Sequence, residues 1–171
     1  MSELTIRDAR KEDAKRLLEI YSHYVLRTAV SFEYDVPSEE EFSQRIETIS
    51  AKYPYLVCEK DGKILGYVYA SAYSTREAYN WTVATSIYLD KDYRRQGIGS
   101  LLYEELERRL KEMGIVNLLA GAAYCEEEDE YLTHDSFEFH AKKGYTEVAH
   151  MKTVGKKFER WYDLLWMQKK I

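Results

Sequence analysis

The residues best placed to do chemistry lie together, in Asp90-Lys91-Asp92-Tyr93-Arg94-Arg95-Gln96-Gly97-Ile98-Gly99-Ser100. The stretch before them, Trp81 to Leu89, is rich in Thr, Val, Ile and aromatic residues and predicts a strand. The stretch after them carries Ile98, Leu101, Leu102, Leu106, Leu110 and Met113 at helical spacing and ends at Gly114, a residue suited to a helix C-terminus. A strand therefore enters the motif and a helix leaves it. Gly97 and Gly99 have no Cβ, so backbone amides can approach a ligand there. The first turn of a helix leaves its amides without intrahelical partners and carries partial positive charge, and Arg94 and Arg95 add full charge. The combination reads as a cradle for phosphate oxygens, the alternative being a tight turn flanked by surface arginines. A dinucleotide fingerprint would need glycine at 102, where Leu102 stands, and a Walker loop would need Gly-Lys-Ser/Thr, where the chain offers Gly62-Lys63-Ile64.

The elements that must position this motif are legible from periodicity. Leu4 to Arg7 alternates as a first strand. A helix from about Ala9 or Glu12 has the apolar stripe Ala14, Leu17, Leu18, Tyr21, Tyr24 and Val25. A second starts at Pro37-Ser38-Glu39-Glu40-Glu41, where Ser38 and Glu41 have capping-box spacing, and faces inward with Phe42, Ile46 and Ile49. Tyr55 to Cys58 and Lys63 to Ala72 are strands joined by the hairpin signal Asp61-Gly62. After the motif helix come a strand at Ile115 to Ala120, a short helix at Ser136 to Lys143 ended by Gly144, and two strands at Tyr145 to Val154 and Trp161 to Gln168. The order βααβββαβαββ predicts one α/β domain over residues 1–171, with a mixed central sheet.

Composition removes several function classes. The chain has 171 residues, 45% of them hydrophobic and 32% charged, as expected of a globular protein. No apolar run approaches membrane-spanning length, and the N-terminus lacks a signal-peptide pattern, so neither a membrane partner nor export is expected. A net charge of −5 argues against a nucleic-acid partner, although residues 136–171 carry eight bases against four acids. Cys58 and Cys125 read as reduced thiols, which points to the cytoplasm. None of His23, His134, His140 and His150 has a partner at zinc-ligand spacing, so no metal is expected. The acidic run Glu126 to Glu130 reads as a solvated loop, and the sixteen tyrosines as core and sheet packing.

Arg94-x-x-Gly97-x-Gly99 resembles the Arg/Gln-x-x-Gly-x-Gly/Ala motif of the GNAT superfamily of N-acetyltransferases, whose element order is also similar. Ala78-Tyr79-x-x-Thr82-Val83, Ser86-Ile87-Tyr88, Ser136-x-x-x-His140 with Gly144-Tyr145, and Val154-Gly155-x-Lys157-Phe158-x-x-Trp161-x-Asp163 resemble its phosphinothricin and methionine sulfoximine acetyltransferase group, in the same order. The resemblance implies a GNAT fold and acetyl-coenzyme A as co-substrate. It places the pyrophosphate on Arg94, Arg95, Gln96, Gly97, Ile98, Gly99 and Ser100, and the pantetheine arm along Ile87, Tyr88 and Leu89. It implies a small amino-acid-like amine as acceptor, with Phe32, Arg76 and Tyr79 as its binding residues, His140 as catalytic base, and a homodimer paired through the terminal strands. Lys157 and Trp161 would fix the last hairpin. Other acceptors, a peptide N-terminus or a polyamine, stay open, as does a weakly catalytic coenzyme A-binding module. The chain departs from the group at Ala84, where a glutamate usually follows Thr-Val, at Thr133 in place of asparagine, and at Glu159 in place of a small residue. The first departure bears on acid–base chemistry and the other two on binding detail.

Overall fold

The computed structural model describes residues 3–171, so residues 1 and 2 of the expected domain lie outside it. The strands are β1 (Thr5–Asp8), β2 (Tyr55–Lys60), β3 (Lys63–Ala72), β4 (Thr82–Leu89), β5 (Asn117–Tyr124), β6 (Thr146–Lys157) and β7 (Arg160–Lys170). The helices are α1 (Ala14–Arg27), α2 (Glu39–Ser50), α3 (Ile98–Glu112) and α4 (Asp135–Lys142). The expected order βααβββαβαββ is the one observed. The strands form one seven-stranded sheet in the order β1-β2-β3-β4-β5-β7-β6. β4 and β5 run parallel, with α3 crossing between them, and every other pair is antiparallel.

Helices cover both faces. Tyr55 and Val57 of β2 pack with Leu17, Tyr21, Phe42 and Ile46 of α1 and α2. Leu56 and Cys58 pack with Leu102, Leu106 and Leu110 of α3. Both sides of β2 are buried, which is why its sequence is a continuous apolar run rather than an alternation. β6 is the opposite case, an edge strand exposed along nearly its whole length, with Val148, Met151 and Val154 among its exposed residues.

Several local expectations change. Ser38 caps α2 by accepting from the Glu41 amide, but the Glu41 carboxylate does not return to the cap. It accepts instead from Arg45, one turn on, at 2.9 Å, so only half of the capping box exists. Leu101 on α3 and Met113, just after it, are exposed, and the buried stripe instead includes Gly99 and Tyr103. β5 begins later and runs four residues further than its apolar run suggested, through Gly121-Ala122-Ala123-Tyr124, because β7 pairs with it along its whole length. Glu159 is a turn residue. Phe158 and Glu159 link β6 to β7 at φ 52° and 62°, the left-handed region where a small residue is favoured. The Phe158 ring stacks on Tyr131 with centroids 3.9 Å apart and anchors that turn.

Candidate active site

The site begins where the sheet comes apart. β4 and β5 pair from Thr82↔Asn117 to Thr85↔Ala120 and no further. Beyond that point β4 stays with β3 as far as Leu89↔Gly66, and β5 stays with β7 as far as Tyr124↔Asp163. Two strand lips, 86–89 and 121–124, therefore face each other across a gap. The Asp90 amide donates to the Leu65 carbonyl at 2.8 Å, which makes Gly66↔Leu89 a pair without mutual backbone bonds. By alternation, the backbone groups of Ile87 and Leu89 turn toward the gap. The Leu89 carbonyl accepts from the Tyr24 hydroxyl, leaving the Ile87 amide and carbonyl and the Leu89 amide on the lip.

At the end of this lip the chain enters the glycine motif. Asp90 fixes the turn by accepting from the Asp92 amide and pairing with Arg16. Arg95 and Gly97 then adopt φ 62° and 81°. The α3 ladder starts with the Leu101 amide donating to the Gly97 carbonyl, so the amides of Ile98, Gly99 and Ser100 lie ahead of it. Arg94 and Arg95 flank them, and both guanidinium groups reach Asp135 in the first turn of α4, at 3.4 and 3.2 Å. The two glycines differ in role. Gly97 supplies the left-handed conformation, and a Cβ there would meet nothing within 4 Å. Gly99 is buried, and a Cβ there would lie 3.1 Å from the Phe139 ring. Its small size serves the packing of α3 against α4.

The gap opens into two joined cavities. A slot of about 50 Å³ runs between the lips, lined by Thr85, Ile87, Ala122, Ser136 and His140 on the α3/α4 side and by Ser86 and Tyr88 on the other. A cleft of about 470 Å³ lies on the α1/α2 side, lined by Tyr21, Ser31, Phe32, Glu33 and Leu164. Val30, Tyr88, Gly121 and Ala123 line both. The segment 28–36 that forms the cleft wall is tied to the last hairpin. The buried Lys157 ammonium donates to the Ser31 carbonyl at 2.7 Å, and the Tyr34 hydroxyl donates to the Lys156 carbonyl. Lys157 thus fixes the cleft wall to the hairpin, while Trp161 is exposed.

His140 is 4% exposed. Its Nδ1 lies 2.7 Å from the Ser136 carbonyl, which can only accept, so Nδ1 carries the proton. Its Nε2 then accepts from the Tyr103 hydroxyl at 2.8 Å, and Tyr103 in turn accepts from Thr85 at 3.0 Å. Burial holds the imidazole below its ordinary pKa. His140 is therefore a neutral imidazole whose one free lone pair is met by Tyr103.

Of the acceptor residues expected from the sequence, Phe32 lines the cleft, whereas Arg76 and Tyr79 are exposed and line neither cavity. They lie in the loop from β3 to β4. Tyr79 packs edge-on against Tyr73, Tyr73 against Trp166, and Trp166 covers Gly121, so the loop borders the cleft side of the sheet. No site motif in the sequence marks Tyr103, Thr85, Tyr21 or Glu33. Tyr103 had a signal, its spacing with Gly99, Leu106 and Leu110, but helical spacing marks burial and not partnership with a histidine 37 residues away.

Residues 6–166 match the family described as acetyltransferase (GNAT) domain. The chain belongs to the GNAT acetyltransferases. It is 36% identical over 166 residues to the phosphinothricin N-acetyltransferase of Alcaligenes faecalis, covering 96% of this chain and 81% of that protein. It is 31% identical to the L-methionine sulfoximine/L-methionine sulfone acetyltransferase of Salmonella typhimurium, covering 96% and 93%. Its structure matches that of a phosphinothricin acetyltransferase from Sinorhizobium meliloti in complex with AcCoA, with a TM-score of 0.89 and 35% identity over 98% of this chain and 88% of that one. Within this GNAT domain the β4 lip of the split sheet borders the slot at residues 86–88 and leads directly into the glycine turn.

Proposed function

We propose that this N-acetyltransferase moves an acetyl group from acetyl-coenzyme A to the amine of a small amino-acid-like acceptor of the phosphinothricin or methionine sulfoximine type. The observation that carries the reading is the gap between the lips, whose β4 edge runs on in sequence into the glycine turn and whose slot shares Val30, Tyr88, Gly121 and Ala123 with the cleft. The residues fit the coenzyme. The amides of Ile98, Gly99 and Ser100, with Arg94 and Arg95, suit a pyrophosphate, Gln96 and Gly97 shape the turn, and the backbone of Ile87 and Leu89 offers strand-type bonds to an amide-bearing arm, while the Tyr88 backbone is turned to β3 and only its ring side borders the slot. The coenzyme supplies the thioester. The chain's own residues align the acceptor amine with it, and positioning of this kind can lower a barrier by about 7–11 kcal/mol.

Phe32 forms an aromatic wall of the acceptor cleft. Arg76, exposed in the β3–β4 loop on the cleft side of the sheet, is suited to an anionic acceptor group. His140 serves as the proton acceptor through a relay: Thr85, which lines the slot, takes a proton there and passes its own to the Tyr103 hydroxyl, which passes its own to Nε2. A cytoplasmic, homodimeric enzyme fits two free thiols and an exposed β6 edge bearing Val148, Met151 and Val154. Ala84 favours a second reading, a slow or weakly catalytic coenzyme A-binding module, because no carboxylate stands on β4 beside the slot. Turnover measured with L-phosphinothricin, L-methionine sulfoximine, a polyamine and a peptide N-terminus decides among these. The expected result is the highest kcat/KM for the first two. Coenzyme binding without turnover of any amine would favour the module.

A further inference from the structure

We propose that Glu33 is the acceptor-binding residue that holds the ammonium group of the substrate, a role for which the sequence offered no motif. This rests on the reading of the cleft as the acceptor site. Glu33 supplies the sole carboxylate among the residues lining the cleft or the slot. Its side chain is 37% exposed, and it shares the cleft with the rings of Phe32, Tyr21 and Tyr88. An amine entering an aromatic-walled cleft loses water contacts, and a carboxylate there returns a charge-assisted hydrogen bond.

The carboxylate is held for this purpose from behind. Oε1 accepts from Arg45 Nη2 at 2.7 Å, and Oε2 accepts from Arg45 Nη1 at 3.1 Å and from the Tyr21 hydroxyl. Three of about four acceptor positions are filled, which leaves one on Oε1. Ser31 completes the brace, since its hydroxyl bonds Tyr21 at 2.8 Å and accepts from the Glu33 amide at 3.2 Å. The Arg45 guanidinium keeps the carboxyl below its ordinary pKa, so Glu33 is ionised across the neutral range. It is accordingly an anchor for the protonated amine and a poor proton acceptor, which leaves deprotonation to another group.

The test compares Glu33→Gln, Arg45→Gln and the double variant, with L-phosphinothricin as acceptor and its des-amino analogue as a binding control. Glu33→Gln should raise the acceptor KM roughly 10–150-fold while that of acetyl-coenzyme A stays within about twofold. The double variant leaves no uncompensated charge, so it reports even if Glu33→Gln alone fails to fold, and it should show the same split. Arg45→Gln should raise the acceptor KM by clearly less than Glu33→Gln does, because the carboxylate loses part of its brace but keeps its charge. In calorimetry the wild type should compete for the amine against the des-amino analogue, and the Glu33 variants should lose that preference. If Arg45→Gln raises the acceptor KM as much as Glu33→Gln does, or if the double variant keeps the wild-type KM, Glu33 merely braces Arg45 and the proposal falls. A wild type that acetylates no amine overturns the functional reading itself and takes the Glu33 assignment with it.

Discussion

Gly97 allows the coenzyme cradle to be tested with backbone and charge effects separated. It sits at φ 81°, ψ −3°, with nothing within 4 Å of a Cβ built on it. Gly97→Ala therefore meets no clash, and its cost is the left-handed conformation, about 1–2 kcal/mol for an L-residue. In a domain of this size 1 kcal/mol lowers the Tm by about 2–4 °C. Gly97→Asp bears less of that cost, because aspartate tolerates the left-handed region better. It also sets a negative charge ahead of the free amides of α3. At about 5 Å from a phosphate, and an effective dielectric constant between about 20 and 80, the repulsion is about 0.8–3.3 kcal/mol. That corresponds to a loss of roughly 4–250-fold in affinity for acetyl-coenzyme A. Calorimetry should show near-normal binding by the alanine variant and weak binding by the aspartate variant, with the gap narrowing as salt is raised. Acetyl-pantetheine, which lacks the pyrophosphate, should serve both variants equally as donor. Equal acetyl-coenzyme A affinity in the two variants would refute the cradle.

The remaining expectations concern the other parts of the site. Ala84→Glu adds a carboxylate on the strand face shared with Ser86 and Tyr88, and should raise kcat/KM by roughly 10–10³-fold near neutral pH while flattening its rise with pH; no gain would mean that His140 or water already fills that role. Burial holds the His140 pKa below its ordinary 6.5 in the folded protein, so the unfolded chain binds more protons on the acid side. Stability from this group should be complete above about pH 6.5 and fall as pH drops below it, and urea titrations of His140→Asn should lack that acid-side loss. Tyr103→Phe removes a donor to the neutral imidazole and should raise the His140 pKa, as read by imidazole NMR, with a fall in kcat. Arg76→Ala should raise the acceptor KM and leave that of acetyl-coenzyme A alone, whereas a change in both would mark Arg76 as a support for the loop. In Gly155→Ala the new Cβ would lie 2.5 Å from the Phe32 ring, so the ring must move, and the acceptor KM should rise with little change in Tm.

The sequence by itself determined what depends on near neighbours in the chain. The order of strands and helices, the Asp61-Gly62 hairpin and the glycine turn into α3 all follow from local patterning, and φ values of 51°, 76° and 81° at Asp61, Gly62 and Gly97 are what those residue types allow. The three free amides of α3 follow in the same way, since every helix start leaves them unpaired. Tertiary structure decided where the sheet opens. The gap exists because β4 keeps β3 and β5 keeps β7 after Thr85 and Ala120, a competition between pairings far apart in sequence. It also decided that Gly99 is small for Phe139, that the lone pair of His140 is met by Tyr103, and that Glu33 lines the cleft with Arg45 and Tyr21 bonded to its carboxylate. Each of these is a contact between side chains on different elements. Periodicity indicates which face of an element is turned inward, but the partner across the interface is fixed only once the elements have packed.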